Sequence, residues 1–163
     1  FFIQITMEEE FKKAYNYCIY ILSKRDYSKH KIRQKLKERK HTPELIETII
    51  EDLVEKNYLR EEEYKKQRIK QHILRGYANS FIIQKLNQEK LTAIDEEVDA
   101  LRSEQDLQAT DIIDHLIEKK LRGKEIPTEW EDRQKLKAKV LRFLISKGHT
   151  YSEISTKLNK RLS

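Results

Sequence analysis

The stretch from Ile19 to Leu36 constrains this chain most, because the sequence writes it three times. Fifty residues downstream, Ile19, Arg25, Tyr27, Ile32, Gln34, Lys35 and Leu36 recur as Ile69, Arg75, Tyr77, Ile82, Gln84, Lys85 and Leu86. A looser third copy places Leu141, Lys147, His149, Thr150, Ile154, Lys157 and Leu158 on the same pattern. Each copy reads as the end of one helix, a break, and a second helix. The break holds a basic residue, Asp or Gly, an aromatic ring and a small residue. Self-similarity at such a period marks modules that bury their faces on one another.

Helical periodicity extends over the whole chain. Phe11, Ala14, Tyr15, Cys18, Ile19 and Leu22 share one side of a helix expected from about Glu8 to Lys24. Ser28 is placed to cap a second helix carrying Ile32 and Leu36. Thr42 and Pro43 open a third, whose wide stripe runs through the pairs Leu45/Ile46, Ile49/Ile50 and Leu53/Val54 to an end near Asn57. The second copy predicts helices over Glu62 to Arg75 and from Asn79 or Ser80 to about Lys90, with a break at Gly76. Thr92 is read as the cap of a short helix with Ile94, Val98 and Leu101. A further helix from Asp106 to about Leu121 places Ile112, Ile113, Leu116 and Ile117 on one face. After a loop at Gly123 to Thr128, a helix from about Glu129 carries Trp130, Leu136, Val140, Leu141 and Leu144 to Lys147. Gly148 breaks it, and Thr150 or Ser152 starts the last helix. The reading is an all-α fold of about nine helices in three-helix-bundle repeats over residues 8–59, 60–103 and 104–163. The repeats are expected to form an elongated, curved array.

Composition supports helices over strands. Charged residues make up 38% and apolar ones 37%, and three Gly and two Pro supply little turn chemistry. Charge is distributed by module. Residues 11–42 hold 11 Lys/Arg against 2 Asp/Glu, and residues 43–63 hold 2 against 8. Residues 64–91 hold 7 against 1, residues 92–118 hold 1 against 9, and residues 119–163 hold 13 against 5. Two roles for this alternation stay open. Acidic and basic helices can pair as solvated surface at about 0–1 kcal/mol per exposed pair, or the basic edges can meet a polyanion or an acidic protein groove. Tyr27, Tyr77 and His149 fit packing plugs at the breaks better than contact rings.

Catalytic and metal chemistry find little footing. The five histidines are scattered, with no pair at metal-ligand spacing on one helix. Asp111, Asp114 and His115 lie together but read as a solvated helix face. Arg122, Gly123 and Lys124 lack the upstream glycine and strand of a phosphate loop. No enzyme activity, metal or cofactor is expected. Cys18, the single cysteine, sits among apolar neighbours and fits a core position in a reducing compartment. No apolar run approaches the roughly 20 residues that span a bilayer, so a cytoplasmic protein without a membrane partner is expected.

At the break motif the sequence resembles the RecX family of recombination regulators. Ile21, Leu22, Lys24, Arg25, Asp26, Tyr27, Ser28, Ile32, Lys35 and Leu36 carry the resemblance. So do Tyr58 and Leu59 ahead of Glu61 to Glu63, Arg75 with Gly76 and Tyr77, the pair Lys119 and Lys120, and the group Phe143, Leu144, Lys147, Gly148, His149, Ile154 and Leu158. It covers residues 11–162, with each motif weak and their order specific. Asn57 stands where the family usually has Gly, Arg60 where it has Asp, and His149 where it has another aromatic ring.

The resemblance implies a monomeric regulator that lodges in the groove of the RecA recombinase filament. It would inhibit recombinase and co-protease activity and block filament extension. Lys24, Arg25, Arg75, Lys119, Lys120, Arg142 and Lys147 are the implied partner contacts, with Tyr27 and Tyr77 ranked below them. Weak single- or double-stranded DNA binding is admitted alongside. The alternative is a helix-turn-helix-type DNA-binding protein. Against it, Lys29, Lys31, Arg33, Lys35 and Lys37 are mostly lysine, suited to phosphate more than to base edges.

Overall fold

The computed structural model describes residues 2–106 and 109–163, apart from the side chains of 109–111. Among the described residues there are nine α-helices and no strand. They are α1 (Phe2–Leu22), α2 (Lys29–Glu38), α3 (Pro43–Glu55), α4 (Glu61–Leu74), α5 (Asn79–Gln88), α6 (Asp95–Glu104), α7 (Ala109–Leu121), α8 (Trp130–Ile145) and α9 (Tyr151–Arg161). The chain separates into two compact units, one running to Gln67 and including Glu89–Leu91, the other comprising Arg68–Gln88 and the residues from Thr92 onward.

In the first unit α3 packs against both α1 and α2. The core joins Ala14, Cys18 and Ile21 of α1, Ile32 and Leu36 of α2, and Ile46, Ile49, Ile50 and Leu53 of α3. Each fully buried Leu or Ile contributes about 1.5–3 kcal/mol of hydrophobic stabilisation before chain entropy is set against it. In the second unit α5 packs on α6, and α7, α8 and α9 pack on one another. Ile112, Ile113, Leu116 and Ile117 meet Val140, Leu144, Ile154 and Leu158 there. The repeat positions agree in burial: Ile32, Ile82 and Ile154 are all 0% exposed.

Helix ends follow one device. At Lys40, Asn57, Gly76 and Gly148 the chain turns left-handed, with φ of 65°, 58°, 79° and 90°. The following amide then reaches back to the last turn: His41 N to Leu36 O, Tyr58 N to Leu53 O, Tyr77 N to His72 O and His149 N to Leu144 O. These bonds satisfy carbonyls that a helix end would leave without partners. Helix starts use short polar side chains. Ser28 Oγ accepts from Lys31 N at 3.1 Å, and Thr42 Oγ1 from Leu45 N at 3.4 Å.

The structure corrects several boundaries. α1 begins at Phe2, well before Glu8, because no Gly or Pro interrupts the residues ahead of the acidic triplet. α6 begins at Asp95 with Ile94 at its cap position, so Thr92 is not the cap, and Ile94 is 55% exposed instead of packed inside. Three acidic residues fill the first turn of α6, where the helix dipole favours them. Trp130 is the first residue of α8 and is 70% exposed, lying too early on that helix to reach its buried face. α8 ends at Ile145, which leaves Lys147 in the turn. Asp106, where a start was expected, lies in a turn, α7 is described from Ala109, and the Asp111 side chain lies outside the described residues.

Candidate functional site

The breaks between paired helices carry the basic side chains that the repeat singles out. In the first unit Tyr27 is only 7% exposed and belongs to the core, with its hydroxyl turned to Arg25. Arg25 Nε donates to Tyr27 Oη at 2.9 Å, and its guanidinium carbon stands 4.8 Å from the ring centre. Lys35, one helical face along, holds its ammonium 5.4 Å from the same ring. Lys24 is exposed beside Tyr20. The buried Tyr27 ring thus holds an exposed Arg25 and a half-buried Lys35 beside it, each contact contributing about 0.5–1 kcal/mol.

The second copy repeats this arrangement. Lys85 stands 5.5 Å from the Tyr77 ring, as Lys35 does from Tyr27 at nearly the same distance. The ring is also approached by Lys147, at 4.8 Å, from the third copy. Tyr77 packs edge-on against Phe81, with ring centres 5.0 Å apart, and Lys85 lies 4.7 Å from Phe81. Phe143 holds Lys120 at 4.1 Å and Lys147 at 5.4 Å. Tyr77, Lys85, Lys120 and Lys147 therefore come together in one patch, which Arg75 joins through its backbone carbonyl. Lys119 and Arg142 are exposed on α7 and α8 without joining a ring.

Three successive carbonyls after α4 anchor this patch. Lys147 Nζ donates to Arg75 O at 2.8 Å, His149 Nε2 to Gly76 O at 2.8 Å, and Arg102 Nη2 to Tyr77 O. In return Ala78 N donates to Lys147 O at 3.0 Å. A carbonyl can only accept, so His149 carries its proton on Nε2. Burial pushes the His149 pKa below the usual histidine value, outweighing the Gly76 carbonyl and Glu153, which act the other way. His149 is thus a structural residue, as the plug reading expected, and Lys147 is divided between structure and surface.

The first break is built differently. Asp26 occupies the position of Gly76 and Gly148, but Asp26 is 8% exposed and acts through its side chain. Its Oδ1 accepts from Arg60 Nε and Nη2 at 3.0 and 2.9 Å, and its Oδ2 from Gln67 at 3.2 Å.

Part of the charge alternation is spent within each unit. Arg33 pairs with Glu47, Lys31 with Glu89, Arg161 with Glu118, and Lys157 with Asp114. Lys157 is the third-copy counterpart of Lys35 and Lys85, so the third copy uses that position for an ion pair. Lys35, Lys85, Phe81, Phe143 and Arg102 were not among the contact residues expected from sequence. Lys35 and Lys85 had a signal in it, because each follows its tyrosine by eight residues and both belong to the repeated set. Among the described residues no group of three or more His, Cys, Asp or Glu is placed to hold a metal ion. Among them, too, no helix is long and apolar enough to cross a membrane. The arrangement can offer fixed positive charge to an anionic surface.

Comparison with known proteins agrees with this architecture. The pattern of the first three-helix domain of RecX matches residues 14–53. The regulatory protein RecX of Haemophilus ducreyi is 35% identical over 135 residues, 83% of each chain. That of Vibrio parahaemolyticus is 30% identical over 142 residues, 87% of each. A crystal structure of regulatory protein RecX superposes with a TM-score of 0.72 at 20% identity, covering 97% of this chain and 76% of the other. The crystal structure of RecX from Lactobacillus salivarius gives 0.68 at 17% identity, covering 95% and 97%.

Proposed function

The chain belongs to the RecX family of regulatory proteins, and from that premise we propose that it binds the RecA recombinase filament in the cytoplasm and inhibits it. In this reading the chain works as three tandem repeats, residues 8–59, 60–103 and 104–163, lodged in the filament groove. There it obstructs strand exchange and co-protease activity and blocks subunit addition. The observation that supports it is the repeated cation set, Arg25 and Lys35 about Tyr27, and Lys85 and Lys147 about Tyr77 with Lys120 adjoining at Phe143 and Arg75 exposed in the same break. A filament presents the same surface at regular intervals. Repeated weak contacts on a linked chain act together through effective concentration, giving avidity that no single contact has. Cations held against rings lose less freedom on binding than free lysines, which favours their use in a recurring contact.

The test is titration into RecA filaments on single-stranded DNA, reading ATP hydrolysis and strand exchange. Inhibition is expected at far fewer copies than recombinase, and it should weaken as salt rises. Arg25→Glu, Arg75→Glu and Lys120→Glu together should raise the inhibitory concentration by more than tenfold while the helical spectrum is kept. Tight, sequence-selective DNA binding with no effect on RecA would overturn this reading in favour of a direct DNA binder.

A further inference from the structure

The three breaks differ at the residue that starts the following helix. Ser28 caps α2 with its hydroxyl. At α9, Thr150 is joined by Glu153, whose carboxylate accepts from Thr150 N at 3.2 Å and from Thr150 Oγ1 at 2.6 Å. At α5 the same place is Ala78, a methyl group that accepts nothing. A helix start without a capping oxygen leaves amide donors and the positive end of the dipole without a side-chain partner.

A cavity of about 270 Å³ lies at this place, lined by Ala78, Asn79 and Ser80 at the start of α5 and by Gly148, His149 and Thr150 at the start of α9. Ile112 and Ile113 of α7 give it an apolar wall. Arg102 also lines it and is 2% exposed. Two of its nitrogens are engaged, Nε with Asn79 Oδ1 at 2.8 Å and Nη2 with Tyr77 O. Nη1 is buried with no acceptor among the described residues. A buried guanidinium nitrogen without an acceptor is costly, since the water it gave up is not replaced.

We infer that this cavity is a binding site for a carboxylate, which supplies to Arg102 Nη1 and the α5 amides the oxygen that Ala78 lacks. Two helix starts and a buried cation favour an anion. Two nearby carboxylates limit its charge: Glu153 lines the cavity, and Asp99, behind the lining, accepts from Asn79 Nδ2 at 2.7 Å. A dianion such as phosphate would be repelled by both, whereas one carboxylate balances Arg102. At roughly 30 Å³ per water, the cavity has room for a carboxylate and its solvent. A small free acid and the side chain of an acidic peptide present the same group. This site is independent of the filament reading.

The experiment uses the whole chain, labelled with ¹⁵N and titrated with sodium acetate, N-acetyl-aspartate amide, phosphate and chloride at constant ionic strength. Saturable shifts of the Arg102 Nε–Hε, Ser80 and Gly148 signals with acetate or the aspartate amide are expected. Tighter acetate binding identifies a free acid, and tighter binding of the amide a peptide side chain. Ala78→Asp carries its own carboxylate to the α5 start and should reduce the acetate response at least tenfold while the fold is retained. No saturable response to either carboxylate, tighter binding of phosphate, or an undiminished response in Ala78→Asp would each overturn the assignment.

Discussion

Replacing Gly148 by Ala tests whether the second and third breaks are locked backbone against backbone. A Cβ at Gly148 would stand 2.5 Å from Phe81 Cβ and 3.5 Å from Ala78 Cβ, at a φ of +90°. The left-handed backbone alone costs a non-glycine residue about 1–2 kcal/mol. Phe81 Cβ is fixed to the α5 backbone and cannot swing aside, so relief requires α5 to shift, adding about 1–3 kcal/mol of overpacking. The total is about 2–5 kcal/mol. Gly123 supplies the internal reference: its φ is +73°, yet nothing lies within 4 Å of the added carbon, so Gly123→Ala carries the backbone cost alone. Gly76→Ala should fall between them, because its obstacle, 2.9 Å away, is the branched end of Leu116, which can rotate. All three glycines lie in the second unit. The gain from a stiffer unfolded chain is common to all three and cancels in the differences. Urea unfolding followed by circular dichroism gives the order, and amide exchange in α5 and α9 should show the Gly148 effect localised there. Equal losses for Gly148→Ala and Gly123→Ala would refute the close approach of the two breaks.

Three further outcomes follow from the same geometry. Asp26→Asn removes the charge facing Arg60 and Gln67. Because the Arg60 side chain is half exposed and can return to water, the loss should be about 1–3 kcal/mol in urea unfolding; no change would mean that the pair contributes nothing. His149 has a folded pKa below its unfolded value of about 6.5, so the unfolded chain takes up the proton first. Its contribution is therefore full above that value and lost as pH falls through it toward the folded pKa. The difference in stability between wild type and His149→Gln should shrink as pH falls from 8 to 5, and a difference independent of pH would contradict the assignment. Cys18 is 0% exposed and burial pushes its thiol up to about 11, so a thiol reagent at pH 7.5 should modify it only at the rate of unfolding. Rapid modification of the folded protein would show that α1 opens away from the core.

What could be read from sequence was whatever depends on spacing along one helix. The buried positions Ile32, Leu36, Ile49 and Leu53 follow from three- and four-residue periodicity, and the caps at Ser28 and Thr42 from the chemistry of an unpaired first-turn amide. The ends of that reasoning show where it lost hold. Ile94 and Trp130 satisfied the apolar pattern but lie at helix starts, one step outside the face that meets a partner, so periodicity assigned burial that geometry withholds. Arg102 shows the reverse case, a buried residue that spacing does not mark. A lone basic residue in a strongly acidic segment reads as solvated surface, yet it is almost fully buried because the carbonyl it meets, Tyr77 O, lies 25 residues back.

The break itself joins both lessons. Alignment of the three copies places Asp26 with Gly76 and Gly148 as if one residue had one purpose. In the structure the two glycines turn the backbone left-handed, whereas Asp26 binds Arg60 and Gln67 through its carboxylate. A repeat conserves the outline of a module more faithfully than the means of closing it. The cations around Tyr27 and Tyr77 are the part kept alike, with Lys35 and Lys85 at 5.4 and 5.5 Å from their rings. Two breaks closed by different chemistry thus keep the same half-buried lysine at nearly the same distance from its ring. In the filament reading proposed above, that recurrence would match a partner whose anionic surface also recurs.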